Sequence, residues 1–132
     1  MLQSDPRAAA AAGSTPLEAR AALAEVLDET QDLAGGTWTT RDDASPRSCA
    51  VQWGLSGDTY ALLRISTAPT DSRVADGVQR TWERWGYTVA RSEVGPVSQL
   101  VGTLSPTAEV MVFRVSERAM TLQGESACRP SE

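Results

Sequence analysis

Thr70-Asp71-Ser72-Arg73-Val74-Ala75-Asp76-Gly77-Val78-Gln79-Arg80-Thr81-Trp82-Glu83-Arg84-Trp85-Gly86-Tyr87-Thr88-Val89 contains a helix start, a helix stop and the opening of a strand. Thr70, Asp71 and Ser72 each carry an oxygen that can accept from an orphan N–H of a first helical turn, and Gly86 can take the left-handed turn that ends the helix. Val74, Val78, Thr81, Trp82 and Trp85 recur at spacings of three and four, so one stripe faces a core. Arg73, Asp76, Arg80, Glu83 and Arg84 fall on the wet side.

Upstream, Thr15-Pro16-Leu17-Glu18 predicts a second helix: Thr at the N-cap, Pro at N1 where no N–H is needed, Glu at N3 to close a capping box. It is expected to run to Ala34, burying Leu17, Leu23, Val26, Leu27, Thr30, Leu33 and Ala34 before Gly35-Gly36. Its C-terminal half carries Glu25, Asp28, Glu29 and Asp32, where the helix dipole disfavours each anion by about 0.3–1 kcal/mol. A cation is needed nearby. Arg80 or Arg84 would supply it if the two helices lie side by side. Residues 1–15, with the run Ala8 to Ala12, bury nothing large and read as a tether.

Between the helices, Thr37–Arg41 reads as a short strand before the turn-rich Asp42 to Arg47. Ser48–Trp53 alternates with Cys49, Val51 and Trp53 on one face, and Thr59–Ser66 reads as its hairpin partner ended by Pro69. Beyond the central helix come Tyr87–Arg91, Val97–Leu104, Glu109–Val115 and Ala119–Leu122, split by Gly95-Pro96, Ser105-Pro106 and Ser116-Glu117-Arg118. Short connections make antiparallel neighbours. The order α-β-β-α-β-β-β-β predicts an α+β fold with two helices packed on one face of an antiparallel sheet, a single domain over residues 16–128 with a tail at 129–132.

Composition excludes more chemistry than it suggests. The chain of 132 residues has no His, no Lys and no Asn; its 12 basic residues are all Arg. Without imidazole there is no Ser-His or Cys-His nucleophile pair and no His ligand for zinc, so an enzyme is not expected and no cofactor or metal is implied. A net charge of −5 argues against a nucleic-acid partner. No stretch has the roughly 20 apolar residues of a membrane span. The start, Met1 to Arg7, lacks the character of an export signal.

Cys49 sits in the first confident strand and Cys128 just past the last. A disulfide between them would close a loop of about 80 residues, worth roughly 4–5 kcal/mol in the chain-entropy model. The alternative is two buried thiols. Cys128 lies in a polar segment, which favours the bridge and with it an oxidising, extracytoplasmic setting. Trp82 and Trp85 beside Arg80 and Arg84 could clamp an anionic or aromatic ligand, or could simply be large core residues in a chain with one Phe. Asp42-Asp43 and the set Asp28, Glu29 and Asp32 lack a calcium-loop pattern and read as solvated faces. Arg41, Arg47 and Arg64 likewise read as solvated strand positions.

With a helix ending Trp82-Glu83-Arg84-Trp85-Gly86-Tyr87-Thr88-Val89, an early Cys49 and a late Cys128, residues 16–128 resemble the soluble domains of actinobacterial secreted proteins and lipoproteins such as the LppA-like lipoproteins. That resemblance implies location in the cell envelope or outside it. It transfers no catalytic residue, and a lipid anchor would require a segment ahead of Met1. The expected function is a non-enzymatic envelope or secreted domain binding a protein partner. In an immunity-type version, Glu25, Asp28, Glu29 and Asp32 mask a basic toxin; the alternative is a small-ligand carrier with a Trp-lined pocket. Protein purified from an oxidising compartment without reductant should be two protons light by intact mass and label with no thiol reagent in denaturant; two reactive thiols would refute the bridge.

Overall fold

A computed structural model describes residues 15–51, 54–67, 70–71, 73–104 and 109–131. Residues 1–14 of the expected tether, Trp53, Ser72, Pro69 and Ser105-Pro106 lie outside them. The fold is α+β: helices α1 (Pro16–Ala34) and α2 (Val74–Arg84), a six-stranded antiparallel sheet and a separate three-stranded sheet. The large sheet runs β1 (Thr39–Thr40), β4 (Ala61–Ser66), β8 (Met120–Glu125), β7 (Glu109–Val115), β6 (Val97–Leu104), β5 (Thr88–Val94). The small one runs β2 (Arg47–Ala50), β3 (Ser56–Thr59), β9 (Arg129–Pro130).

Both helices end as their sequences direct. Thr15 Oγ1 accepts from Glu18 N and Glu18 Oε1 accepts from Thr15 N, each at 3.2 Å, so two orphan donors are satisfied reciprocally. These bonds also hold the Glu18 carboxyl below its usual range. At the other helix, Gly86 has φ +102° while Tyr87 N donates to Trp82 O and Gly86 N to Glu83 O, both at 3.1 Å. That is the paired 6→1 and 5→2 closure for which glycine is suited. The start of α2 is later than expected: Asp71 Oδ1 accepts from Arg73 N at 2.9 Å, forming a turn ahead of the helix instead of capping from within it.

Ala75, Val78, Thr81 and Trp82 bury one face of α2, with Val74 and Trp85 packed at its margin. On α1 the buried residues are Pro16, Ala19, Leu23, Val26, Leu27 and Thr30. Leu17 and Leu33, expected in the stripe, remain 62% and 48% exposed. Leu17 lies off the arc defined by Ala19, Leu23 and Val26, and Leu33 falls in the last turn. Trp82 and Leu23 seat the helices on the large sheet at glycines. A Cβ on Gly102 would meet Trp82 Cε3 at 2.8 Å, and one on Gly124 would meet Leu23 Cδ2 at 3.2 Å. Trp82 Nε1 also donates to Thr30 Oγ1 at 3.1 Å, and that hydroxyl donates to Val26 O at 2.8 Å, tying one helix to the other.

The segment expected as one strand, Thr59–Ser66, is split at Tyr60, and its two parts belong to different sheets. Ser56–Thr59 is the hairpin partner of β2, with Cys49 opposite Gly57; Ala61–Ser66 pairs with β1 and β8. Ser126 holds the corner. Its hydroxyl accepts from Tyr60 N at 2.9 Å, its carbonyl accepts from Thr59 Oγ1 at 2.6 Å, and its N–H donates to Tyr60 O at 3.0 Å. The returning chain changes sheet at the same place, passing from β8 to β9, so Arg129–Pro130 form a strand instead of a tail. By contrast, Val97–Leu104 and Glu109–Val115 have the expected bounds.

Cys49 and Cys128 form the disulfide, with Cα atoms 6.1 Å apart across 79 residues of sequence. The bridge joins β2 to the segment leading into β9 and passes over β3 at Gly57. A Cβ there would lie 2.8 Å from both Cys128 Sγ and Arg129 O. Backbone cannot yield as a flexible side chain would, so Gly57→Ala should destabilise the fold by roughly 1–3 kcal/mol, read as a lower denaturant midpoint at unchanged m-value. A midpoint equal to that of the parent would refute a close crossing at Gly57.

Candidate functional site

The alternation of the large sheet sorts its residues into two sets. Leu62, Arg64, Ser66, Ser98, Leu100, Gly102, Met111, Phe113, Val115, Met120, Leu122 and Gly124 are buried. The alternate positions form an outer face. Its central row runs Leu63, Gln123, Val112, Val101, Ala90, and a second runs Thr39, Ile65, Thr121, Arg114, Gln99, Ser92. Aliphatic side chains thus meet across β7, β6 and β5, and Gln123 of β8 separates them from Leu63 on β4. Within the second row Arg114 Nε donates to Gln99 Oε1 at 2.8 Å.

At the β1 side of this face lies an open cleft of about 400 Å³, floored by Ala61, Leu63, Val110, Val112 and Gln123. Arg41, Asp43, Arg47 and Glu125 stand around it. Arg41 also borders a second concavity of about 360 Å³ lined by Thr37, Thr39, Ile65 and Thr67. Arg47 Nε lies 3.8 Å from Asp43 Oδ2, an exposed contact worth little by itself.

The cleft wall is held from behind by Arg64. This side chain is 4% exposed; Nε and Nη2 donate to the Asp42 carboxylate at 3.0 and 2.9 Å, and Nη1 donates to Asp28 Oδ1 at 2.6 Å and Gln31 Oε1 at 2.7 Å. Burial works against its charge, but the bonds and charges of Asp42 and Asp28 outweigh that and raise its pKa further. Asp42 Oδ1 also accepts from Leu63 N at 2.9 Å, while Arg41 N and Asp43 N donate to Leu63 O and Ala61 O at 2.7 and 2.9 Å. With Asp42 fixed inward, its neighbours Arg41 and Asp43 are placed at the cleft.

A second buried polar pair lies at the start of β7, where the Tyr87 hydroxyl donates to Glu109 Oε2. Glu109 is 1% exposed. Burial pushes its carboxyl above the usual range, against the Tyr87 bond and the charge of Arg129, which lower it.

The residues singled out from the sequence do not form one site. Trp82 is wholly buried, and Trp85 is half-buried against the core, so their ring faces serve packing. Arg80 and Arg84 are exposed on α2; Arg84 Nη2 donates to Thr81 Oγ1 at 3.3 Å. Among the described ion pairs, neither meets a carboxylate of the α1 acidic row; the row is met at Asp28, by Arg64 from the sheet. Glu25 and Asp32 are exposed and Glu29 is half-buried on the same helix. No described Trp lines either concavity. Arg64 and Glu109, both missed as solvated or apolar-strand positions, share a signal: each continues the inward period of its strand, with Leu62 and Ser66 or with Met111 and Phe113.

No family model, curated protein or solved structure matches the chain. Among the described residues no group of three or more His, Cys, Asp or Glu is placed to hold a metal ion, and no helix is long and apolar enough to cross a membrane. Removing a buried charge partner should be far more damaging than removing an exposed one: Arg64→Ala should cost roughly 3–5 kcal/mol by denaturant unfolding. Asp28→Asn, on a side chain 66% exposed, should cost under about 1 kcal/mol. Similar losses for both would contradict the clamp.

Proposed function

We propose that this chain is a non-enzymatic extracytoplasmic domain, in the cell envelope or secreted, that binds a protein partner through the outer face of its large sheet. In this reading both helices cover one face of the sheet, Leu23 over Gly124 and Trp82 over Gly102, and the other is left for the partner. The observation that carries it is the cross-strand patch of Val110 and Val112 on β7 with Val101 on β6, half-buried side chains of stiff strands, with Leu63 and Ile65 of β4 on the far side of Thr121 and Gln123 of β8. Half-buried aliphatic side chains bordered by hydroxyls and amides are the composition of protein interfaces. The Cys49–Cys128 bridge supports an oxidising compartment.

The acidic row of α1 supports an immunity-type role less well than the sheet supports docking, because Asp28 is already engaged by Arg64. A carrier role moves from the tryptophans to the cleft, whose volume of about 400 Å³ is that of a small-molecule site. Immobilised domain should retain a specific protein from actinobacterial envelope and secreted fractions. Val101→Arg, on the outer face, should abolish that retention with the far-UV spectrum unchanged, whereas Arg80→Glu on α2 should not. Retention that survives Val101→Arg, or no specific protein even at low salt, would overturn the reading.

A further inference from the structure

Strand β5 closes one end of the large sheet, and among the described residues its outer edge is unpaired. Such an edge offers a row of N–H and C=O groups to any other strand. β5 is seven residues long, and Ala90 to Val94 are all exposed. The connection to β6 is a two-residue turn with Val94 opposite Val97 and Gly95 at φ +58°, where a II′ turn wants glycine. A turn of this kind closes on a hydrogen-bonded pair. Ladder alternation then directs the backbone groups of Ala90, Ser92 and Val94 to β6 and those of Val89, Arg91 and Glu93 outwards.

The outward residues carry the edge's charges. Arg91 Nη1 donates to Asp76 Oδ1 of α2 at 2.6 Å, and Arg91 Nε donates to Glu93 Oε1 at 3.3 Å. Glu93 Oε2 accepts from Ser98 Oγ at 2.6 Å. Both side chains are thereby held on the helix side of the sheet.

We propose that β5 pairs antiparallel with β5 of a second copy of this chain about a two-fold axis at Ser92, so that Arg91 of each copy faces Glu93 of the other. In this register Arg91 and Glu93 are the hydrogen-bonded residues, and both charge pairs are favourable. Ser92 meets Ser92 of the second copy as a non-hydrogen-bonded pair. A slip of two residues one way sets Arg91 against Arg91, and two the other way sets Glu93 against Glu93. A slip of one brings the wrong backbone groups and the wrong face together. Charges that repel foreign strands from the edge thus select a copy of this chain.

The helices leave room for the pairing. α2 lies over β5, β6 and β7. Centred on β6, the two copies of α2 would be about three strand spacings apart, roughly 14 Å, beyond the 8–10 Å of direct helix packing. On the outer face Ala90 of one copy meets Val94 of the other, and Val94 is 62% exposed in the single chain. The pairing makes one outer face of two and is independent of what docks there.

The test uses the two-fold axis itself. Both native cysteines are bridged, so Ser92→Cys introduces a single free thiol. Opposed non-hydrogen-bonded residues have Cα atoms about 4.5 Å apart, within disulfide reach. Mild oxidation should convert Ser92→Cys almost completely to a covalent dimer of twice the 14.1 kDa of one chain. Thr103→Cys, one strand inward, should stay monomeric. The unmodified chain should show mass rising towards the dimer by sedimentation at concentrations up to about 1 mM, the weak end of specific association. Glu93→Arg should abolish both the mass increase and the crosslink when combined with Ser92→Cys. A Ser92→Cys protein that remains a free thiol, equal crosslinking at Thr103→Cys, or dimerisation untouched by Glu93→Arg would each overturn the proposal.

Discussion

The guanidinium of Arg64 is the constraint on which the arrangement depends. It sits on the buried side of β4, where an unpaired charge would be intolerable, and four acceptors on two other segments complete its shell. Through Asp28 and Gln31 it fixes the rotation of α1; through Asp42 it fixes the chain between β1 and β2. One side chain therefore settles where a helix lies, where a loop lies and which residues stand at the cleft on the other side of the sheet. An apolar residue could fill the space, but it would not bring those carboxylates to it.

Packing supplies the second layer of definition. Each helix lowers one large side chain onto a strand position with no Cβ, and the Trp82–Thr30 bond sets the spacing between the helices. The small sheet is then anchored at its two crossings. Tyr60 and Ser126 hold the corner where the chain leaves and re-enters the large sheet, and the disulfide straps β9 across Gly57. The chain end, weak by itself as a two-residue strand, is thereby part of the fold.

This division explains which residues carried readable meaning. The capping box of α1, the glycine stop at Gly86 and the bounds of β6 and β7 rest on interactions within a few residues, and those were legible. Arg64 and Glu109 occupy inward positions that alternation could have marked, yet a charged residue in a strand is ordinarily read as facing water. Trp82 and Trp85 invited a ligand reading because tryptophan serves cores and sites alike. Only the partner surfaces, Gly102 below and Thr30 beside, decide between them.

The sequence by itself determined the α+β class, two amphipathic helices with their glycine stops and the antiparallel strands beyond α2, and it favoured the pairing of its two cysteines, because each depends on local periodicity, local capping or simple counting. Tertiary structure alone decided that Thr59–Ser66 divides between two sheets, that Arg64 engages Asp28 of α1, that Arg129–Pro130 form a strand, and that β5 is left as an edge. These depend on contacts between residues tens of positions apart, where backbone pairing and the burial of charge outweigh any local preference.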